Sequence, residues 1–176
     1  MMNKNVQKLC LSAVCLALCM VLPFLTGQIP QIGNALSPMH IPVLLCGLLC
    51  GWPYGLIVGF VAPLLRFLLF SMPPIMPTGL AMAFELAAYG ALSGLLLKLL
   101  PGKIPYLYVS LVGAMLGGRI VWGAVRFVLG MAVGPAFTFP MFLSGAFVTA
   151  IPGIICHIVL IPPVVIGVRR ALKDFD

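Results

Sequence analysis

Six apolar segments make up almost the whole chain, and short breaks rich in proline, glycine and polar residues separate them. Only 7% of the 176 residues are charged, whereas about a quarter are charged in a typical soluble domain. A membrane-spanning helix needs about 20 apolar residues, so a chain of this length holds about six spans and leaves no room for a separate soluble domain. The sequence therefore predicts an all-α integral membrane protein in which residues 1–176 form a single domain of six transmembrane helices.

Proline and glycine set the limits of the predicted spans. Lys4 and Lys8 precede the first apolar stretch as in a signal peptide, but no small-residue cleavage site occurs before Pro23, so we interpret this stretch as the first span. The second span is short, and the last two are longer than a bilayer requires, so we expect them to tilt, kink or protrude. The predicted spans cover about 6–25, 40–51, 55–70, 78–100, 106–134 and 141–168.

Positive charge is distributed unevenly between the two sides of this arrangement. If the N-terminus lies in the cytoplasm, the inner segments carry seven lysines and arginines and the outer loops carry none. The sequence therefore predicts that both termini are cytoplasmic. The net charge of +7 largely reflects this orientation, so neither a nucleic acid partner nor a polybasic lipid-binding patch is needed to explain it. The inner residues are Lys4, Lys8, Lys98, Lys103, Arg169, Arg170 and Lys173.

The sequence lacks the motifs of common ATPases and hydrolases. A phosphate-binding G-x-x-x-x-G-K-[ST] loop, an H-E-x-x-H zinc motif and a G-x-S-x-G nucleophile elbow are all missing. Only one carboxylate falls in an apolar segment, and the six cysteines include no C-x-x-C pair. These observations favour packing over a disulfide framework. We therefore expect no catalytic residues, no metal and no cofactor.

Apart from lysines near the inner ends of the spans, four charged residues lie inside the predicted spans, where each is costly unless something compensates it. Counting about 1.5 Å per residue from the outer ends of the spans places Arg66, Glu85 and Arg126 at depths of roughly 8 to 12 Å, with Arg119 and His157 about 10 Å deeper. Because a short loop joins their spans, Arg66 and Glu85 are predicted to pair. Arg126 then lacks a protein carboxylate, and a ligand carboxylate suits its planar guanidinium. Arg119 is interpreted as a structural or gating group.

Other polar and aromatic side chains are expected near Arg126 in the outer half of the membrane. Trp122 lies one helical turn from Arg126, and Tyr89 lies one turn from Glu85. The loop after the first span supplies neutral hydrogen-bonding groups, and His40 is expected at the outer boundary of the membrane. The candidate substrate-binding residues are therefore Arg126, Trp122, Glu85, Asn34, Arg66, Gln31 and Tyr89.

The first span reads KLCLSAVCLALCMVLPF, and within it Ala13 and Ala17 form an A-x-x-x-A pair that lets another helix approach closely. The chain also combines six predicted spans, two inner termini, a polar outer loop after span 1 and no energising domain. With these features the pair resembles that of the substrate-binding S components of energy-coupling factor (ECF) vitamin transporters. The similarity covers the whole chain and includes PMHIPVLLCGLLCGWPYGLIVGFVAPLLR and MPPIMPTGLAMAFELAAYG.

The resemblance implies a subunit that captures a vitamin on the outer side of a bacterial plasma membrane and is not itself an enzyme. It implies that Ala13 and Ala17 dock onto a transmembrane coupling subunit driven by two ATPase subunits, and that the S component topples in the lipid bilayer to release substrate inside. It also implies a substrate site built from spans 4 to 6 and the outer loops. That region holds Glu85, Arg126, Trp122 and Asn34.

The excess of arginine over carboxylate in the spans favours an anionic substrate. Pantothenate fits best because it combines a carboxylate with an amide and two hydroxyls, and nicotinate and biotin are also carboxylates. Riboflavin needs more aromatic stacking than Trp122 and Tyr89 provide, pyridoxine is a further alternative, and cationic thiamine is disfavoured. The rival class is a six-span membrane scaffold of the cell-shape type without a ligand. A carrier that works alone is disfavoured because the sequence has no obvious inverted repeat or interrupted pair of helices.

Overall fold

The protein is described here by a computed structural model that covers residues 4–25, 36–101, 103–133 and 137–174. All regular secondary structure within these ranges is helical, which confirms the all-α prediction. Five helical segments are long and apolar enough to cross a membrane, and one further apolar helix is shorter. The helices are α1 (Lys4–Leu25), α2 (His40–Cys50), α3 (Trp52–Phe70), α4 (Leu80–Leu99), α5 (Ile104–Val133), α6 (Phe139–Leu143) and α7 (Ile151–Asp174).

The short second segment lies at the centre of the bundle. α2 has 11 residues, which rise by about 16 Å, whereas a complete crossing needs about 20 residues. Nine of its residues are buried, and it packs against α1, α3, α4 and α7. Six crossings and two cytoplasmic termini therefore stay predictions, because α2 is too short to span a bilayer by itself.

Gly51 joins α2 directly to α3 through a sharp turn. Its φ of 103° lies in a region that residues other than glycine rarely adopt. Arg169 of α7 reaches this end of α2, where its Nη2 donates a hydrogen bond of 2.9 Å to the carbonyl of Leu48. Carbonyls in the last turn of a helix have no partner within the helix, so Arg169 caps α2 and ties it to the C-terminal helix.

The helices α3 and α4 are antiparallel and touch backbone to backbone. A methyl group at Gly90 would overlap the backbone of Gly55, and a methyl group at Gly59 would overlap the carbonyl of Leu86. Small residues of this kind let membrane helices approach closely and gain van der Waals contact. The contacts also fix the register, since residue 55 is level with residue 90 and residue 59 with residue 86.

The last predicted span, which was expected to tilt, kink or protrude, is broken. After α6, a wide π-helical turn covers Ser144–Val148, and α7 starts again at Ile151. The backbone N–H and the hydroxyl of Thr149 donate hydrogen bonds of 3.0 and 3.2 Å to the carbonyl of Ser144. Pro152 then lies at the second position of α7. The first N–H groups of a helix have no acceptor within the helix, so a proline there costs no helical hydrogen bond. These local features end one helix and start the next.

Candidate functional site

Glu85 forms an ion pair with Arg119 of α5, and not with Arg66. Nη1 of Arg119 lies 3.0 Å from Oε1 of Glu85. The register between α3 and α4 gives the reason, because Glu85 is level with residue 60, whereas Arg66 lies six residues, or about 9 Å, farther along α3. The predicted Arg66–Glu85 pair is therefore wrong. Counting from the ends of the two spans assumed that those ends lie at the same height, and they do not.

Arg66 holds α3 against α1. Its Nη1 donates a hydrogen bond of 2.6 Å to the carbonyl of Met20. The carbon at the centre of its guanidinium lies 5.1 and 5.2 Å from the ring centres of Phe24 and Phe70. A backbone carbonyl and two aromatic faces thus compensate this charge. Arg66 was predicted to bind substrate, but the structure places it apart from Glu85.

Two histidines and a tyrosine surround the Glu85–Arg119 pair. Nε2 of His40 lies 3.4 Å from Oε1 of Glu85, and the His40 ring centre lies 5.0 Å from that of Tyr89 and 6.1 Å from that of His157. Apart from Arg119, whose side chain is 11% exposed, none of these residues is more than 4% exposed. We call Glu85, Arg119, His40, His157 and Tyr89 the polar cluster. It draws one or two residues from each of α2, α4, α5 and α7.

His40 lies inside the bundle and not at its outer boundary, so that expectation was wrong. It is the first residue of α2, and this helix is too short to carry its first residue to a membrane surface. Ser37 and Met39, which precede it, are also buried, with exposures of 8% and 3%. The length of the second apolar segment was the signal that sequence reasoning missed.

Several polar atoms of the cluster have no hydrogen-bond partner in the part of the chain that the structure describes. They are Nδ1 and Nε2 of His40, Oε1 of Glu85, Nε of Arg119 and Nε2 of His157. Most buried polar atoms in folded proteins are paired, because leaving one unpaired costs about 1–3 kcal/mol. Such atoms mark a position where water or a polar ligand is favourable.

Arg126 lies in an aromatic environment on the same helix as Arg119. The two arginines are seven residues apart, so they share one face of α5 and are separated by about 10 Å along its axis. The Arg126 guanidinium lies 5.4 Å from the ring centre of Phe137, and its Nε has no hydrogen-bond partner among the described residues. Glu85 is the only acidic residue before Asp174 in the sequence, and Arg119 already pairs with it.

Trp122 stands between the two arginines on α5. Its ring centre is 5.6 Å from that of Phe137 and 6.3 Å from that of Phe142. The far edge of the indole packs over Gly145, where a methyl group would come within 2.8 Å of it. We call Trp122, Phe137 and Phe142 the aromatic group. These rings pack α5 against the segment that contains Phe137, Phe142 and Gly145.

The seven predicted substrate-binding residues are thus divided among several places. Glu85 and Tyr89 belong to the polar cluster, whereas Trp122 and Arg126 lie at the aromatic group. Arg66 lies at the contact between α3 and α1. The remaining two, Gln31 and Asn34, fall outside the described residues.

A groove with a volume of 410 Å³ borders the aromatic group. Three of its lining residues, Ile120, Phe127 and Phe139, are 66%, 55% and 70% exposed, so the groove opens on the apolar exterior. Thr138 is the one hydrogen-bonding side chain among its described lining residues. An anionic ligand needs charged or hydrogen-bonding partners, and this groove does not supply them.

Ala13 and Ala17 lie together on the exposed face of α1. The opposite face of the helix buries Ser12, Cys15 and Cys19 against the bundle. Because the two alanines are four residues apart, they form a flat strip on the outside of the protein. The strip is accessible to another membrane helix.

Comparison with known proteins identifies the family. The chain matches the family model described as "ECF transporter, substrate-specific component" over residues 7–165. No curated protein and no solved structure gives a significant match. The matched range includes the polar cluster, Arg126 and the alanine strip of α1. Members of this family are substrate-binding membrane subunits that associate with an ECF module, and they are not enzymes. The chain therefore belongs to the family of substrate-specific components of ECF transporters.

Proposed function

We propose that this S component captures a vitamin with a single carboxylate, and that Arg126 binds the carboxylate. One observation carries the proposal, namely the charge balance within the bundle. Arg119 neutralises Glu85, whereas the Arg126 guanidinium packs against the aromatic ring of Phe137. An uncompensated arginine at membrane depth is costly, so an anionic ligand at Arg126 lowers the free energy of the bound state. The planar guanidinium can donate two parallel hydrogen bonds to a carboxylate.

Pantothenate is the proposed substrate. Its carboxylate suits Arg126, its dimethyl-substituted carbon chain suits the aromatic group, and its hydroxyls and amide suit neutral hydrogen-bonding residues. Gln31 and Asn34 are proposed to supply some of those hydrogen bonds. Biotin and nicotinate are the alternative carboxylates. Riboflavin and pyridoxine are less favoured, because the Trp122 ring already packs against Phe137 and Phe142 and because neither vitamin is a carboxylate.

We propose that the protein works in a bacterial plasma membrane with both termini in the cytoplasm. The distribution of lysine and arginine supports this orientation. A transmembrane coupling subunit, energised by two ATPase subunits, is proposed to dock on the strip formed by Ala13 and Ala17. The exposure of both alanines supports that role. Membership of the S-component family supports a substrate-binding subunit over a scaffold without a ligand.

The test is calorimetric titration of the purified protein in detergent with pantothenate, biotin, nicotinate, riboflavin, pyridoxine and thiamine. We expect the tightest binding for pantothenate. Arg126→Gln should weaken it by about 100-fold, because it removes a charge-assisted, bidentate contact. Arg66→Gln is the matched control, since it removes another arginine of the helical bundle that contacts α1, and we expect its affinity to stay within about twofold of the wild type.

Two results would contradict the proposal. If Arg126→Gln binds pantothenate as tightly as the wild type, Arg126 does not hold the carboxylate. If thiamine or an uncharged vitamin binds most tightly, the substrate is not an anion. A loss of affinity in Arg66→Gln alone would move the carboxylate site to the contact between α1 and α3.

A further inference from the structure

Two separate sites along α5 contain polar groups that lack a hydrogen-bond or ion-pair partner. At Arg126 the missing partner is an anion. At the polar cluster the atoms without hydrogen-bond partners are nitrogens of His40, His157 and Arg119 and one carboxylate oxygen of Glu85. Both places lie on the same face of α5, about 10 Å apart along the helix axis. Trp122 stands between them on that helix.

The polar cluster differs from Arg126 in the kind of group it suits. Glu85 and Arg119 cancel each other's charge through their 3.0 Å contact, so the cluster has no unpaired carboxylate or guanidinium. The two imidazole rings supply hydrogen-bond donors and acceptors, and they are 19° from parallel with their centres 6.1 Å apart. Both histidines are at least nine-tenths buried, with exposures of 4% and 3%. Such a site favours a neutral group that can both donate and accept hydrogen bonds, such as a hydroxyl or an amide.

We propose that His157 and His40 form a neutral subsite that binds the uncharged polar end of the ligand whose carboxylate binds Arg126. This inference rests on the proposed function and narrows its substrate class. The substrate is a carboxylate that carries a hydroxyl or amide group about 10 Å from its charge. Pantothenate has this arrangement, because its terminal hydroxyl stands at the opposite end of the molecule from its carboxylate, with the amide between them. Biotin has it too, because an apolar chain separates its carboxylate from a ureido group. Nicotinate does not, because its ring nitrogen is only one ring-width from its carboxylate.

The subsite also links three helices. His40 belongs to α2, His157 to α7 and Arg126 to α5. A ligand that bonds to all three ties the N-terminal half of the bundle to its C-terminal half. His157 is therefore a specificity-determining residue, because it contacts the part of the substrate that distinguishes one carboxylate vitamin from another.

The experiment compares two ligands that share a carboxylate and differ in their hydroxyls. One is pantothenate, and the other is its hydroxyl-free analogue, in which dimethylbutanoyl replaces the pantoyl group on β-alanine. We expect the wild type to bind pantothenate about tenfold more tightly than the analogue, which corresponds to one or two net hydrogen bonds. His157→Leu should remove this preference by weakening pantothenate alone. His157→Gln keeps a donor and an acceptor and should restore part of the preference.

The outcomes separate this subsite from the carboxylate site. Equal weakening of both ligands by His157→Leu would show a structural role and overturn the subsite. Arg126→Gln should weaken both ligands equally, because both carry the carboxylate. If Arg126→Gln has no effect while His157→Leu removes the preference, the proposed function loses its carboxylate site and the subsite stands.

Further results would also overturn the subsite. One is an affinity for the hydroxyl-free analogue as high as that for pantothenate in the wild type. Another is tight binding of nicotinate that His157→Leu does not change. If none of pantothenate, biotin and nicotinate binds, both proposals fail. The melting temperature of each variant reports whether it folds. If His157→Leu does not fold, His40→Gln provides a second substitution at the subsite.

Discussion

Arg119 of α5 and Glu85 of α4 form a buried ion pair, with 3.0 Å between Nη1 and Oε1. His40, the first residue of α2, lies 3.4 Å from the same carboxylate oxygen. The start of α2, which carries a partial positive charge, therefore lies beside the same carboxylate as Arg119. The pair joins three helices at one point. It also engages Glu85, the only acidic residue before Asp174 in the sequence.

Replacing one member of this pair should destabilise the protein strongly. Glu85→Gln leaves the Arg119 charge buried without its partner, and loss of one member of a buried ion pair typically costs about 3–5 kcal/mol. We expect a large fall in the melting temperature of the purified protein. The double variant Glu85→Gln with Arg119→Gln should recover much of that loss. Additive effects of the two single substitutions would show that the residues do not interact.

The glycine contact between α3 and α4 should tolerate no added methyl group. Gly90→Ala places a carbon against the backbone of Gly55, and overpacking of this kind costs about 1–3 kcal/mol. Gly167→Ala in α7 is the matched control, because no heavy atom lies within 4 Å of the added carbon. Its higher helix propensity should leave the melting temperature unchanged or raised. Similar effects of the two substitutions would argue against the close contact.

The link between Arg169 and α2 should contribute modestly to stability. Arg169→Met removes the 2.9 Å hydrogen bond to the carbonyl of Leu48 and exposes that carbonyl at the end of α2. Because this arginine is partly exposed, we expect a loss of about 1 kcal/mol, which thermal unfolding can detect. Arg170→Met removes the neighbouring charge from the same helix and serves as the control. A larger effect at Arg170 would contradict the assignment of the cap to Arg169.

Bulky substitutions in the alanine strip should separate transport from binding. Ala13→Leu and Ala17→Leu add side chains on the exposed face of α1, where a flat surface is needed for a second helix to approach. In cells that also contain the coupling and ATPase subunits, we expect most pantothenate uptake to be lost. The affinity of the purified protein should not change. Ala124→Leu alters an exposed alanine of α5 and should leave uptake intact, whereas unimpaired uptake in Ala13→Leu would rule out the docking role.

Most helix limits could be predicted from the sequence because they depend on local features. Apolar runs give the helices, and glycine or proline at their ends gives the breaks, as at Gly51. The break before Pro152 was not placed, because the last span was predicted to cover 141–168 without interruption. The role of α2 could not be predicted in this way. An apolar run of 11 residues looks the same whether it faces lipid or forms the centre of a bundle, and only its contacts with four other helices distinguish the two.

Sequence reasoning named Glu85, Tyr89, Trp122 and Arg126 as candidates because polar and aromatic groups in membrane spans are few and costly. The structure places the first two in the polar cluster and the last two at the aromatic group. The two histidines of the polar cluster were not assigned to it, because α2 and α7 are far apart in the sequence and nothing local indicates that His40 and His157 meet.

The sequence by itself determined that the chain is a helical membrane protein and that its spans hold more arginines than carboxylates. Composition and residue counts are enough for both conclusions. Only the tertiary structure decided which arginine pairs with Glu85. Counting residues measures height along one helix, whereas the relative height of two helices depends on where their backbones touch. Here the contacts of Gly55 with Gly90 and of Gly59 with Leu86 set that height, and they bring Glu85 to Arg119.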